Sequence, residues 1–150
     1  MQERFKTFTV LISKINRSIK KIKTEEMDEF NLKSHHVSCL YYLYKSNSLT
    51  AKELCDICAE DKAALSRSVE DLERNGYIEC DSNLKKRYRS SLTLTEKGKL
   101  VSECIANKID KILDQASIGL SEYNRKILYE SLSIINNNLE KICKNYKGEK

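Results

Sequence analysis

Proline is missing from this chain of 150 residues, and glycine occurs only four times. Proteins built mainly of β-strands need many Gly and Pro turns, and nucleotide-binding α/β domains need glycine-rich loops, so both classes are disfavoured. A chain with so few helix-breaking residues is free to be mostly helical. The length predicts a single domain with a sizeable core, and the regular apolar residues among the charged ones exclude a disordered chain.

Long hydrophobic runs are also missing. Near the N-terminus the longest apolar stretch is residues 10–12, which is too short for a signal peptide or a membrane span. We therefore expect a cytoplasmic protein without a membrane partner. In that compartment its six cysteines are expected to be reduced thiols rather than a disulfide framework.

The net charge of +5 is concentrated in one short part of the chain. Residues 84–99 contain six basic residues and one acidic residue, whereas basic and acidic residues are equal in number over the rest of the sequence. A basic excess confined to one segment indicates a binding surface for a polyanion.

Apolar residues at alternating spacings of three and four predict a long amphipathic helix over about residues 2–23. A polar stretch over residues 24–33 follows. Apolar and tyrosine residues from Val37 onward then predict a shorter helix, with Ser34 placed to cap it. The apolar stripe of the first helix needs a partner, which is either this protein's core or a second subunit.

Two short helices come next, over residues 51–58 and 62–74. Thr50 and Asp61 are placed to accept hydrogen bonds from the first free backbone N–H groups of these helices. Gly76 ends the second one, because glycine adopts the left-handed cap conformation without a steric cost. Two short helices joined by about three residues are typical of a helix-turn-helix.

The periodicity then changes to that of strands. Tyr77-Ile78 and residues 90–94 predict two short strands with a turn region between them, and such a hairpin after a helix-turn-helix is a wing. Thr95 and Ser121 are placed to cap two long helices, which Gly119 separates. The predicted fold is mainly α-helical with a small β-hairpin, in one unit without linkers.

One face of the 62–74 helix suits contact with DNA. Its apolar residues fall on one side, and the other side collects Lys62, Ala63, Ser66, Arg67 and Glu70. Small and polar residues let a helix enter the major groove, while lysine and arginine reach phosphates or guanine edges. Taken alone, this pattern also fits an ordinary solvated helix face.

The hairpin tip is strongly basic, since Lys85, Lys86, Arg87 and Arg89 place four cations within five residues. Repulsion among them is relieved by a phosphate backbone or by a narrow minor groove. A solvated basic turn is the alternative. A membrane surface is disfavoured because no apolar insertion face accompanies these charges.

Four motifs together resemble the MarR family of bacterial transcriptional regulators: LTAKEL at 49–54, DKAALSRSV at 61–69, LERNGYI at 72–78 and LTEKG at 94–98. The long helices at both ends match that family's dimerisation region. The resemblance implies a single MarR-like domain over 1–150 that forms a homodimeric winged helix-turn-helix. Its DNA-binding lobe would cover about 34–98, and its dimerisation helices about 2–23 and 99–145.

The resemblance also implies roles for individual residues. Thr50 stands where a phosphate contact is expected, and the face that reads the major groove carries Lys62, Ala63, Ser66 and Arg67. The wing departs from the family pattern, because Lys86-Arg87-Tyr88 replace a common Asp-Arg-Arg. Either Arg87 or Arg89 is therefore expected in the minor groove. Cys80 stands where the family often has an arginine.

A small-molecule effector pocket is a further expectation, with Tyr41, Tyr44 and His36 as its candidate residues. Family members often hold phenolic effectors in the crevice between the dimer helices and the DNA-binding lobe. Core packing explains at least two of the neighbouring tyrosines equally well. The chain has only two histidines, so a capping or surface role is favoured over metal binding for them.

Cys55 and Cys58 have C-x-x-C spacing, which is also the spacing of one helical face. We interpret them as core-filling residues, since cysteine packs as a small apolar side chain. Zinc would need two further ligands, and no second pair is present, so we predict neither a metal site nor a cofactor. No nucleophile–base pair or phosphate loop can be assembled, so no catalytic residue is predicted.

The leading hypothesis is a homodimeric repressor that binds double-stranded DNA at a pseudo-palindromic operator and is released by an effector. One alternative is a redox- or metal-responsive regulator that uses its cysteines. Another is a winged-helix module that binds protein instead of DNA. Strongly salt-dependent DNA binding would separate the first hypothesis from the last.

Overall fold

The computed structural model describes residues 2–58, 60–81 and 89–147. Its contacts divide the chain into two compact units, Met1–Ile109 and Asp110–Lys150. The division falls inside a helix rather than in a linker. The single domain over 1–150 stays a prediction, and each unit is considered by itself.

The first unit begins with a helical segment and continues through the helix-turn-helix and the sheet. Its elements are α1 (Gln2–Lys6), a π-helical turn (Thr7–Leu11), α2 (Ile12–Glu26), a 3-10 turn (Asp28–Phe30), α3 (Ser34–Ser46), β1 (Ser48–Thr50), α4 (Ala51–Cys58), α5 (Lys62–Arg74), β2 (Ile78–Cys80), β3 (Ser91–Leu94) and most of α6 (Glu96–Ala116). The second unit contains the end of α6 and α7 (Glu122–Lys147). The predicted class, mainly α-helical with a small β-structure, is confirmed.

The sheet differs from the predicted hairpin by one strand. β3 lies in the middle and pairs antiparallel with β2 on one side and with β1 on the other. In the β1 pairing Leu49 faces Leu92. The sequence analysis missed β1 because three residues are too few to show the alternation of a strand, and its partner is remote in the sequence.

The core of the first unit is formed by α3, α4, α5, the sheet and α6. Its fully buried apolar side chains include Val37, Leu40, Leu43, Leu54, Leu65, Leu72, Ile78, Leu92 and Ile105. Met27 and Leu32 are also buried, although they lie in the stretch expected to be polar. A 3-10 turn and the left-handed backbone of Asn31, with a φ of 55°, bring these two residues to the core.

Most predicted helix caps are confirmed. Asp61 Oδ1 accepts the Ala64 N–H at 2.8 Å, Thr95 Oγ1 accepts the Gly98 N–H at 3.0 Å, and Ser121 Oγ accepts the Asn124 N–H at 3.1 Å. The prediction for Ser34 is wrong, because Lys33 is the N-cap and Ser34 is already helical. His36 Nδ1 accepts the Lys33 N–H at 3.2 Å and so satisfies the start of α3.

The predicted N-terminal helix over 2–23 extends to Glu26 and contains a π-helical turn. Around the π-helical turn, the hydroxyls of Thr7, Thr9 and Ser13 donate to the carbonyl oxygen four residues earlier. Such hydroxyl contacts compete with the regular helix ladder and accompany local changes of helix geometry. No helix within the described residues is long and apolar enough to cross a membrane.

Candidate nucleic-acid interface

α5 is held by its inner face and its N-cap. Leu65, Ser68, Val69 and Leu72 are buried against the core, and the Ser68 hydroxyl donates to the carbonyl oxygen of Ala64 at 3.0 Å. Asp61 fixes the first turn through its bond to the Ala64 N–H. The helix is therefore anchored along one side, which fixes the direction of the opposite side.

The predicted reading face lies on that opposite side. Lys62, Ala63, Ser66, Arg67 and Glu70 are all exposed, so the structure brings the first four together near the N-terminal half of α5. Glu70 accepts a long hydrogen bond from the Ser66 hydroxyl at 3.4 Å. The positive end of the helix dipole adds to the two cations and favours an anionic partner at this end.

Thr50 is half-buried, and its hydroxyl is already engaged in a capping box at the start of α4. Thr50 Oγ1 donates to Glu53 Oε2 at 2.9 Å and accepts the Glu53 N–H at 3.2 Å. The backbone N–H and the hydroxyl of Thr50 both donate to this carboxylate and lower the pKa of Glu53. A phosphate at Thr50 would have to displace that carboxylate, so its predicted contact is untested and competes with the cap.

The wing is described only at its base. Arg89 is exposed two residues before β3, and the Asp81 N–H donates to the Ser91 carbonyl oxygen at 2.9 Å. Cys80 is half-buried at the end of β2, where it pairs with Leu92. Lys85, Lys86 and Arg87 lie outside the described residues, and their DNA contacts stay predictions.

His36 of α3 lies close to Asp71 of α5. The side chain is buried, and its Nε2 lies 3.5 Å from Asp71 Oδ2, while Asp71 Oδ1 lies 3.2 Å from Arg74 Nη1. Burial lowers the pKa of His36 more than Asp71 raises it, so the ring is neutral near pH 7. Because Nδ1 accepts the Lys33 N–H, the proton of the neutral ring is on Nε2 and faces Asp71.

The three residues predicted to line an effector pocket, Tyr41, Tyr44 and His36, do not share one cavity. Tyr44 lines a cleft of about 540 Å³ between the end of α3, β3 and the start of α6. The Tyr41 ring packs edge-on against Tyr42 at 5.4 Å, with Lys45 Nζ 5.4 Å from its centroid. Neither Tyr41 nor His36 is among the residues that line this cleft. The structure thus does not bring the three together, and the effector pocket is untested.

The two cysteines of the C-x-x-C pair are both half-buried. Cys55 Sγ donates to the Glu60 carbonyl oxygen at 2.9 Å. Both cysteines also pack against the core. Within the part of the chain that the structure describes, no group of three His, Cys, Asp or Glu side chains could hold a metal ion.

Solved structures of MarR family regulators have a fold similar to that of this chain. A MarR family transcriptional regulator from Listeria monocytogenes, complexed with a 26mer DNA, is 25% identical with a TM-score of 0.81, and the match covers 92% of each chain. MepR of S. aureus in a DNA complex is 20% identical with a TM-score of 0.77, over 89% of this chain and 98% of that chain. A MarR family regulator from Neisseria meningitidis is 21% identical with a TM-score of 0.76, over 90% of this chain and 94% of that one.

The sequence itself also matches a family model. The model described as a winged helix DNA-binding domain aligns with residues 36–113, which is just over half of the chain. No curated protein is a significant match. The aligned residues contain the helix-turn-helix, the sheet and the start of α6. The chain therefore belongs to the winged helix DNA-binding domain family, and its similarity to MarR family structures confirms the resemblance that its motifs indicated.

Proposed function

We propose that the chain is a transcriptional regulator that binds double-stranded DNA sequence-specifically as a homodimer. The observation that carries this proposal is the exposed face of α5, which presents Lys62, Ala63, Ser66 and Arg67 while the opposite face is locked into the core. A helix of this kind fits the major groove, where arginine can donate two hydrogen bonds to the O6 and N7 atoms of guanine. The wing then supplies contacts to phosphates and to the minor groove.

The homodimer is supported by apolar side chains exposed near both ends of the chain. In the first unit Phe5, Phe8, Ile12, Ile15, Ile19 and Ile22 are exposed. In the second unit Ile127, Leu128, Leu132, Leu139 and Ile142 are exposed along α7. Apolar stripes of this length in a soluble protein mark an interface, and we propose that a second copy of the chain covers them.

A homodimer would determine the symmetry of the DNA sites that the protein binds. Two copies related by a two-fold axis present two α5 helices to half-sites about one helical turn apart, so the operator should be an inverted repeat. We further propose that the protein acts as a repressor and that a small molecule releases it. The cleft beside Tyr44 has a volume typical of ligand sites, which supports this part of the proposal.

Selection of duplexes from a randomised library, with the purified full-length protein, tests the proposal. We expect an enriched inverted repeat whose half-sites are about 10 base pairs apart. Enrichment of no sequence would contradict sequence-specific binding. If the protein were a module that binds other proteins, its affinity for every duplex would be weak and would show no sequence preference, and moderate salt would abolish it because only non-specific phosphate contacts would remain.

Arg67→Ala is expected to weaken binding to the selected duplex by about 1–3 kcal/mol and to relax the preference for one base position. The reason is that Arg67 stands on the reading face, where it can contact a base edge. Arg74→Ala is the matched control, because Arg74 is an exposed arginine at the other end of the same helix and pairs with Asp71. Fluorescence anisotropy with the selected and single-base-changed duplexes measures both effects. Equal losses for the two variants would contradict the assignment.

Replacing Lys85 and Lys86 together with alanine is expected to weaken binding to all duplexes by a similar factor. Loss of two phosphate contacts should reduce the slope of log affinity against log salt by about 2. Titrations of a selected and a random duplex over a salt series measure this slope. A double alanine variant of Lys141 and Lys144 in α7 removes the same charge and should leave the slope unchanged. A change of specificity with an unchanged slope would contradict phosphate binding by the wing lysines.

A further inference from the structure

We propose that α2 carries a second surface for a polyanion, which binds the phosphate backbone of a DNA duplex other than the one on α5. The surface consists of Lys14, Arg17, Lys20 and Lys21, and we refer to it as the basic side of α2. All four side chains are exposed. The surface itself does not depend on the proposed function, whereas the choice of DNA as its occupant rests on that function.

Positive charge is concentrated in the N-terminal helical segment. Residues 4–23 contain seven basic residues and no acidic residue. Acidic residues follow directly at positions 25, 26, 28 and 29, so the equal totals outside the wing conceal this excess. A basic excess confined to one helix attracts a polyanion for the same reason as the basic excess of the wing.

The helical period places the four cations together on one side of α2. The opposite side carries the isoleucines Ile12, Ile15, Ile19 and Ile22. Lys14, Arg17 and Lys21 follow one another at spacings of three and four residues, so they form a row about 10 Å long. About three successive phosphates of one DNA strand cover the same length. Because the proposed second copy covers the isoleucine side, the cation row stays open to solvent in the dimer.

The four cations of the basic side have no anionic partner in the chain. Within the residues that the structure describes, none of these side chains forms a salt bridge or a hydrogen bond. Lys99 and Lys108, in contrast, pair with Glu96 and Glu29. Like charges three and four residues apart destabilise a helix, and a row of phosphates would remove this repulsion.

A cleft between α2 and the start of α3 extends the basic side. Its volume is about 410 Å³, and Lys20 lines it together with Lys33 and His35, while Asp28 is the one acidic residue among the described residues of its lining. Burial lowers the pKa of His35, and the charges of Lys33 and Lys20 lower it further, against the opposing charges of two carboxylates. The positive end of the α3 dipole lies at the same place. The cleft therefore offers a phosphate group more positive charge than the row alone.

α2 and α5 contact α3 from different sides, which is why we assign the basic side to a separate duplex. Lys23 Nζ of α2 donates to Ser38 Oγ of α3 at 2.8 Å, whereas His36 Nε2 of α3 lies 3.5 Å from Asp71 Oδ2 of α5. Residues two apart in a helix point to nearly opposite sides. By the same period, Lys23 points away from the cation row, so the row faces away from α3. Duplex DNA has a persistence length of about 150 base pairs and cannot bend around so small a unit.

Capture of a second duplex tests this surface. The full-length protein is bound to an excess of immobilised selected duplex, and a fluorescent random duplex is then added at about 100 mM salt. Replacing all four cations of the basic side with glutamine should reduce capture of the random duplex at least tenfold. Loss of four phosphate contacts should also lower the slope of log capture against log salt by about 3–4. The affinity for the selected duplex should stay unchanged.

Two control variants separate the position of the charge from its amount. Glutamine at Lys111, Lys126, Lys141 and Lys144 removes the same charge from exposed positions on α6 and α7 and should leave capture unchanged. Arginine at the three lysines of the basic side keeps the charge and should retain capture. All these positions are exposed, and far-ultraviolet circular dichroism checks that the helices are intact. Capture that survives the glutamine variant of α2, or that falls equally in the control on α6 and α7, would overturn the surface.

A membrane is disfavoured as the occupant because the apolar side that a surface helix would insert is proposed to be covered by the second copy. Binding to phosphatidylserine vesicles under conditions where the random duplex stays free, with loss of binding in the glutamine variant, would overturn DNA as the occupant. Acetylation of lysines followed by peptide mapping needs no selected duplex. If a random duplex protects Lys14, Lys20 and Lys21 while no sequence is enriched by selection, the proposed function fails and the surface stands.

Discussion

Leu132→Asp combined with Leu139→Asp is expected to convert the protein from a dimer into a monomer at micromolar concentrations. These leucines lie on one stripe of α7 and are 43% and 49% exposed in the single chain. In a two-fold dimer each substitution would occur twice, so four carboxylates would enter an apolar interface. Burying an unpaired carboxylate is strongly unfavourable, and we expect the dimer dissociation constant to rise by about 100-fold or more.

Sedimentation equilibrium over a range of protein concentrations measures this change. The matched control is Ser133→Asp combined with Asn137→Asp, which adds the same charge to exposed positions on the side of α7 opposite to the apolar stripe. The control should remain a dimer. A stable, folded monomer of the unaltered protein at micromolar concentration would contradict the proposed dimer, as would a dimer that tolerates the leucine substitutions.

Gly98→Ala is expected to lower the free energy of unfolding strongly. A Cβ atom at this position would lie 1.9 Å from the Tyr77 carbonyl oxygen and 2.9 Å from its carbonyl carbon. Neither backbone atom can move by a change of rotamer. The Tyr77 carbonyl also accepts the Thr95 N–H at 3.1 Å, so relief of the clash must disturb the junction between β2 and α6. We expect a loss of about 3 kcal/mol or more in the free energy of unfolding, at the upper end of overpacking effects.

Urea denaturation at one fixed protein concentration measures the loss, because the stability of the proposed dimer would depend on concentration. Glu103→Ala, an exposed substitution in the same helix, is the control and should stay within about 0.5 kcal/mol of the unaltered protein. A Gly98→Ala variant as stable as that control would contradict the close approach of α6 to Tyr77.

The sequence predicted those parts of the fold that depend on local signals. The caps at Thr50, Asp61 and Thr95 each place a hydroxyl or carboxyl oxygen before a helical apolar pattern, and all three form the expected bonds. The exposed face of α5 follows from helical periodicity in the same way. In these cases one residue and its nearest neighbours decide the outcome, whereas the same reasoning placed the α3 cap at Ser34 instead of Lys33.

Features that depend on remote partners could not be predicted. β1 exists because Leu49 pairs with Leu92, and Met27 is buried because a 3-10 turn directs it to the core. The C-x-x-C spacing of Cys55 and Cys58 predicted packing against the core, which the structure confirms. It could not show that the adjacent Leu54 is buried in the core together with residues of α3 and α5, or that Cys55 Sγ donates to the Glu60 carbonyl oxygen. Spacing within one helix cannot show which neighbouring helix each side chain meets.

The ratio of affinities for a selected duplex and for a scrambled duplex of the same composition tests the central claim most directly. The measurement uses the reduced full-length protein at about 150 mM salt, since affinities without a stated salt concentration are not comparable. A dimer that reads bases through α5 should favour the selected duplex by a factor of about 1,000 or more. Equal affinities for the two duplexes would contradict sequence-specific recognition by this face.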